Sequence, residues 1–130
     1  MDNQDFVTYE TTKRLKECGF DEPCHAFYWT CDGEFKDTKN RCHTNSMSCE
    51  AMVTAPTLWQ AQKWLRETHK ISIRVNYLFS NNRWFYDWLN ISDGGYDSSD
   101  EYYPTYEAAL SAGIAAVLDL IDNDNKYHNE

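Results

Sequence analysis

Ile71-Ser72-Ile73-Arg74-Val75-Asn76-Tyr77-Leu78-Phe79 is the stretch that decides the fold. Its odd positions are apolar from 71 to 79, and its even positions are polar until Leu78. Side chains alternate across a strand, so this pattern predicts one buried and one wet face in an antiparallel sheet. Asn81-Asn82 supplies a turn, and Trp84–Ile91 returns as the partner, giving a main hairpin of 71–79 and 84–91. On the returning strand Phe85, Leu89 and Ile91 share one face, and Trp84, Tyr86 and Trp88 share the other. Both faces are bulky. Either both are covered, or one is an exposed aromatic patch of the kind that marks an interaction surface. The candidate binding residues on that reading are Trp84, Tyr86 and Trp88, with Tyr102 and Tyr103 close by in sequence.

Helical signals flank the hairpin. After it, Pro104-Thr105 opens a segment in which Tyr106, Leu110, Gly113, Ile114, Val117, Leu118 and Ile121 keep the 3.6-residue period. Interspersed alanines raise its helix propensity, and a helix over 105–121 follows. Before it, Pro56-Thr57 caps a helix over 57–69 with Leu58, Ala61 and Leu65 on one stripe. Near the start, Thr8 caps a short helix over 8–18. There Gly19 is the C′ residue and Phe20 reaches back to Leu15, as a Schellman ending requires. Between the first two helices, Cys24–Thr30, Glu34–Lys36 and Ala51–Thr54 read as short strands, with Asp32-Gly33 as a tight turn. Residues 37–50 form a polar loop without period, 92–101 an acidic connector, and 122–130 a frayed tail. The sum is a single α+β domain over 1–130, an antiparallel sheet layered with three helices.

Composition bounds the function. The chain has 130 residues, 42% of them apolar and 15% aromatic, enough for one core at the usual domain size. No apolar run nears the roughly 20 residues of a membrane span, and no basic segment precedes an apolar one at the start. The expectation is a cytoplasmic protein that makes no membrane contact. Twelve Lys and Arg stand against 21 Asp and Glu, a net charge of −9. Residues 71–130 carry −7 of it, with three basic side chains against ten acidic ones. Phosphate recognition needs clustered Lys and Arg, so direct nucleic-acid binding is not expected there. An acidic surface suits a basic partner instead, or serves simply to keep the protein dissolved.

Five cysteines, at 18, 24, 31, 42 and 49, invite a metal or thiol reading, and two precede histidine (Cys24-His25 and Cys42-His43). Structural zinc sites pair their ligands in short knuckles, whereas these cysteines are separated by five, six, ten and six residues. Adjacent Cys and His on a strand also point to opposite faces. No metal and no cofactor are expected. The odd count, with no secretory signal, speaks against a disulfide framework. The acids of 93–101 depart from a calcium loop, since Gly95 and Ser98 stand at its third and sixth positions. Phosphate-binding loops, a G-x-S-x-G elbow and an H-E-x-x-H helix are all lacking, so no catalytic residue is assigned.

Several segments together look familiar: Phe6-Val7-Thr8-Tyr9-Glu10, Gly19-Phe20-Asp21-Glu22-Pro23-Cys24, Ala55-Pro56-Thr57, Lys63-Trp64-Leu65-Arg66-Glu67, Ile71-Ser72-Ile73 and Tyr106–Ile114. With them the chain resembles a group of small uncharacterised proteins of Bacteroides phages and prophages. Its hairpin and alanine-rich helix are similar to the phage ABA sandwich domain. Cys31, Cys42 and Cys49 depart from that pattern. The resemblance implies a phage or prophage accessory protein in a bacterial host cell and carries no catalytic residues. The favoured expectation is a non-enzymatic protein that engages a host protein or small ligand through its aromatic sheet and acidic edge. The phage setting is compatible with inhibition of a host defence. Two alternatives stand beside it: a small zinc- or thiol-dependent enzyme using Cys24/His25 and Cys42/His43, and a structural homodimer.

Overall fold

A computed structural model describes residues 3–38, 41–47 and 50–128. Cys49, parts of the 37–50 loop and the last two residues of the 122–130 tail lie outside the described residues. The fold is α+β, with three α-helices and two three-stranded antiparallel sheets. The chain groups into two compact units that divide between Ala61 and Gln62.

The first unit begins with a 3₁₀ turn at Asn3–Asp5 and helix α1, Tyr9–Glu17. Thr8 Oγ1 accepts the Thr11 N–H at 3.3 Å, satisfying an amide that the first turn leaves open. At the other end Phe20 N–H reaches Leu15 O at 2.9 Å and Gly19 N–H reaches Lys16 O at 3.1 Å. Gly19 has φ +98°, so the Schellman ending expected from the sequence forms on the residue that tolerates it.

Strands β1 (Ala26–Trp29), β2 (Phe35–Asp37) and β3 (Met52–Thr54) form the first sheet in the order β2-β1-β3. Phe6, Ala26, Tyr28, Val53 and Ala55 make a core cluster, with Tyr9 and Phe35 packed against it. The Tyr28 hydroxyl donates to Val7 O at 2.6 Å, which lets a phenol enter that cluster without an orphaned polar atom.

The polar 37–50 segment is tied into this unit more than its composition suggests. Asp37 ends β2, and Cys24 and His43 exchange backbone bonds of 2.8 and 2.9 Å. Asn45 is buried: its Nδ2 donates to Phe20 O at 2.8 Å, and its Oδ1 accepts the Thr54 N–H at 3.0 Å. One amide side chain thus serves the end of α1 and the edge of β3 together, a cross-link that leaves no periodic trace. Asp21 Oδ1 also accepts the Ser46 N–H at 2.7 Å, and that bond holds its carboxyl below the ordinary aspartate value.

Helix α2 spans Leu58–Thr68 and includes the point where the two units divide. It buries Leu58, Ala61, Trp64 and Leu65, and Thr57 Oγ1 caps it by accepting the Gln60 N–H at 3.1 Å.

In the second unit β4 (Ile71–Leu78) pairs with β5 (Arg83–Asn90), as the hairpin pattern predicts. A third strand, β6 (Tyr96–Ser98), pairs with β5 inside the stretch expected to be a loop. Its three residues are all exposed, so no alternation betrays it. Helix α3 runs from Tyr106 to His128, past the expected end at 121. The apolar stripe stops at Ile121, but Asp122–Asp124 are exposed and the backbone ladder continues without it.

Ala109, Leu110, Ile114, Val117 and Leu118 of α3 are fully buried, and the helix crosses β4 and β5. At the crossing, a Cβ on Gly113 would stand 3.0 Å from Ile73 Cγ2 and 3.1 Å from Tyr86 Cγ. Glycine therefore sets how closely helix and sheet approach. Gly113→Val should destabilise the protein by about 1–3 kcal/mol, because overpacking against Ile73 and Tyr86 outweighs the better helix propensity of valine. Urea unfolding followed by far-UV circular dichroism checks this; an unchanged midpoint would contradict the close contact.

Candidate binding face of the second sheet

Register alone sorts the side chains of β5. Ile73 lies opposite Trp88, Val75 opposite Tyr86 and Tyr77 opposite Trp84. These pairs occupy the side that α3 crosses. Trp84 sits between Tyr77 and Tyr106, with ring centroids 4.8 and 5.5 Å away. Tyr86 lies beneath Gly113, with its ring 6.2 Å from that of Tyr103. Burial pushes both phenols above the ordinary tyrosine value.

The opposite side of the same strands is open. Ser72 lies opposite Leu89, which in turn lies opposite Tyr96, while Arg74 faces Asp87 and Asn76 faces Phe85. Tyr96 is 80% exposed, and Ile91, Tyr102 and Leu89 are 54%, 50% and 44% exposed. The Tyr102 ring lies 6.1 Å from that of Phe85. Leu89 and Tyr96 border a shallow depression of about 470 Å³ that also includes Ser72, Arg74, Phe85 and Asp87.

A fixed ion pair lies in its floor. Arg74 Nε and Nη2 reach the two Asp87 carboxylate oxygens at 2.9 and 3.1 Å, and Asn76 Nδ2 donates to Oδ2 at 3.0 Å. Hydrogen bonding to Asp87, and then its charge, raise the Arg74 guanidinium further above neutrality. The planar two-point contact fixes both side chains in a way a single contact would not. Asp97 borders the depression, and Asp93, Asp97, Asp100 and Glu101 are all exposed along the segment from the β5–β6 turn to the residues after β6. Asp93 Oδ1 accepts the Gly95 N–H at 2.8 Å and Asp97 Oδ1 the Ser98 N–H at 2.8 Å. Such bonds shape the β5–β6 turn and leave the acidic charge facing solvent.

The structure thus distributes the five candidate residues. Trp84, Tyr86 and Tyr103 belong to the helix side. Tyr102 stands on the open side; Trp88 lies on the helix side by register, opposite Ile73, and also reaches the border of the depression. Phe85, Leu89, Tyr96 and the Arg74–Asp87 pair form the open face and were not singled out by sequence pattern. Gly113 carried the missing signal: a glycine within an apolar helical stripe marks the face where something bulky comes close.

Among the described residues no three His, Cys, Asp or Glu side chains are placed to hold a metal ion, and no helix is long and apolar enough to cross a membrane. Cys24 is buried, and burial pushes its thiol up to about 12. No family model, curated protein or solved structure matches the chain.

The two sides of β5 should answer mutation differently. Trp84→Ala, which removes a ring packed between Tyr77 and Tyr106, should cost about 2–4 kcal/mol. Tyr96→Ala should change stability by less than about 0.5 kcal/mol. Equilibrium urea denaturation of both variants tests this, and a reversed order of effects would contradict the assignment of faces.

Proposed function

We propose that this chain is a non-enzymatic binding protein that docks a basic protein surface on the open face of β4, β5 and β6. The observation that carries the reading is the exposed Leu89 and Tyr96 beside half-buried Phe85 around the Arg74–Asp87 pair, with exposed Tyr102 against the Phe85 ring. Apolar and aromatic side chains of this kind form the dry centre of an interface, and a polar rim surrounds them. Here Asp97 stands at the border, further exposed acids precede and follow β6, and Arg74, the cation in the floor, is already engaged by Asp87. Tyrosine and phenylalanine rings also attract a Lys or Arg head over their faces. Rings and carboxylates therefore favour the same partner chemistry: Lys and Arg side chains presented beside apolar ones.

The likeness to small Bacteroides phage proteins gives this partner a setting, in which it is a basic host protein and the chain a phage or prophage accessory factor acting in the host cell. Interference with a host defence would be one use of such a contact. The reading does not call on the thiols of the first unit.

Affinity capture from a bacterial host lysate tests the proposal. The wild-type chain should retain a protein with a basic surface, and added salt should weaken the capture. Leu89→Ser with Tyr96→Ser should abolish it, while Trp59→Ser, at an exposed aromatic of α2, should not. Capture that survives the double variant, or a wild-type chain that retains nothing, would overturn the reading.

A further inference from the structure

The first unit brings together two side chains that are distant in sequence. Cys24 and His43 are bridged antiparallel through both backbone hydrogen bonds, so the next pair along the register is His25 with Cys42. A pair next to a hydrogen-bonded one is of the non-hydrogen-bonded kind, in which opposing side chains stand closest. Cys42 Sγ lies 3.4 Å from His25 Nε2 and 3.6 Å from Nδ1. The local backbone is tied down as well. His25 O accepts the Thr38 N–H at 2.8 Å, and Thr38 Oγ1 lies 2.7 Å from both the His25 and the Arg41 carbonyl oxygens. One hydroxyl therefore links the residue carrying the imidazole to the residue that precedes the thiol.

The other described thiols lack one or both of these features. Cys24 is buried and its thiol is hard to ionise, and Cys18 is half-buried. Cys31 is exposed, with no imidazole beside it. Cys42 is exposed and has an imidazole within hydrogen-bonding reach. The thiolate is the reactive form of cysteine, and a neighbouring base that takes its proton makes it available.

We infer that Cys42, with His25 as its proton acceptor, is a modification site through which this chain takes up a low-molecular-weight disulfide as a mixed disulfide. In the exchange, Cys42 Sγ bonds to one sulfur of the small disulfide as the S–S bond of that disulfide breaks. The Cys42 proton passes to the His25 imidazole and then to the departing thiolate. One thiol and one disulfide go in, and one mixed disulfide and one small thiol come out, so electrons and protons balance. This inference is independent of the binding face, since none of its residues borders that depression.

Oxidised glutathione is the probe. The full-length chain is incubated with it at neutral pH, quenched by acid, and each thiol is followed by peptide mass mapping. Cys42 should be modified at least about tenfold faster than Cys31 within the same molecules, as expected for a base-assisted thiol. His25→Asn should bring Cys42 down to within about threefold of Cys31, because a side-chain amide cannot take the proton. The Cys49→Ser chain should keep the wild-type ratio, which excludes relay through that thiol. Equal wild-type rates at Cys42 and Cys31 would overturn the inference without any need for a variant. So would an undiminished Cys42 rate in His25→Asn, or loss of the preference in Cys49→Ser.

Discussion

The approach of α3 to the β4–β5 hairpin at Gly113 is the contact on which the second unit depends. With no side chain at that position, Ile73 and Tyr86 fit against the helix backbone. Only one side of a sheet can be crossed by one helix. Once Ile73, Tyr86 and Trp84 are committed to α3, strand alternation places Arg74, Phe85, Asp87 and Leu89 on the other side. The open face is thus a consequence of where a helix can come close.

That face combines two features that oppose each other energetically. Exposed rings and leucine favour being covered, while a carboxylate and a guanidinium in the same floor resist losing water. Pairing Arg74 to Asp87 through two bonds, with Asn76 as a third donor partner, leaves those charges mutually satisfied before any partner arrives. An interface over such a pair desolvates a neutralised group, which costs less than burying either charge alone. The exposed acids before and after β6 stay in water, where carboxylates favour encounter with a basic surface and oppose an acidic one.

Much of the fold was legible in the sequence. The strand at 71–78 showed in its alternation, α1 in Thr8, Gly19 and Phe20, and α3 in its apolar period. What escaped has physical reasons. Strand β6 is three exposed residues that obey no pattern, and β5 carries bulky groups on both sides, so period two could not say which side was covered. Asn45 works through one amide bonded to Phe20 O and Thr54 N, and His25 meets Cys42 through the register of a two-residue bridge. Each of these depends on a partner distant in the chain. Composition shows bulky groups on both sides of strand 84–91; which side is covered depends on Gly113 and its neighbours.

Hydroxyl-radical footprinting read by mass spectrometry tests the division of β5 most directly, because tyrosines of one chemical type lie on both sides of the sheet. The account predicts that Tyr96 is oxidised at a rate close to that of an unstructured tyrosine, with Tyr102 somewhat slower and Tyr86, half-buried beneath α3, the slowest of the three. Tyr86 oxidised as fast as Tyr96 in the folded chain would contradict it.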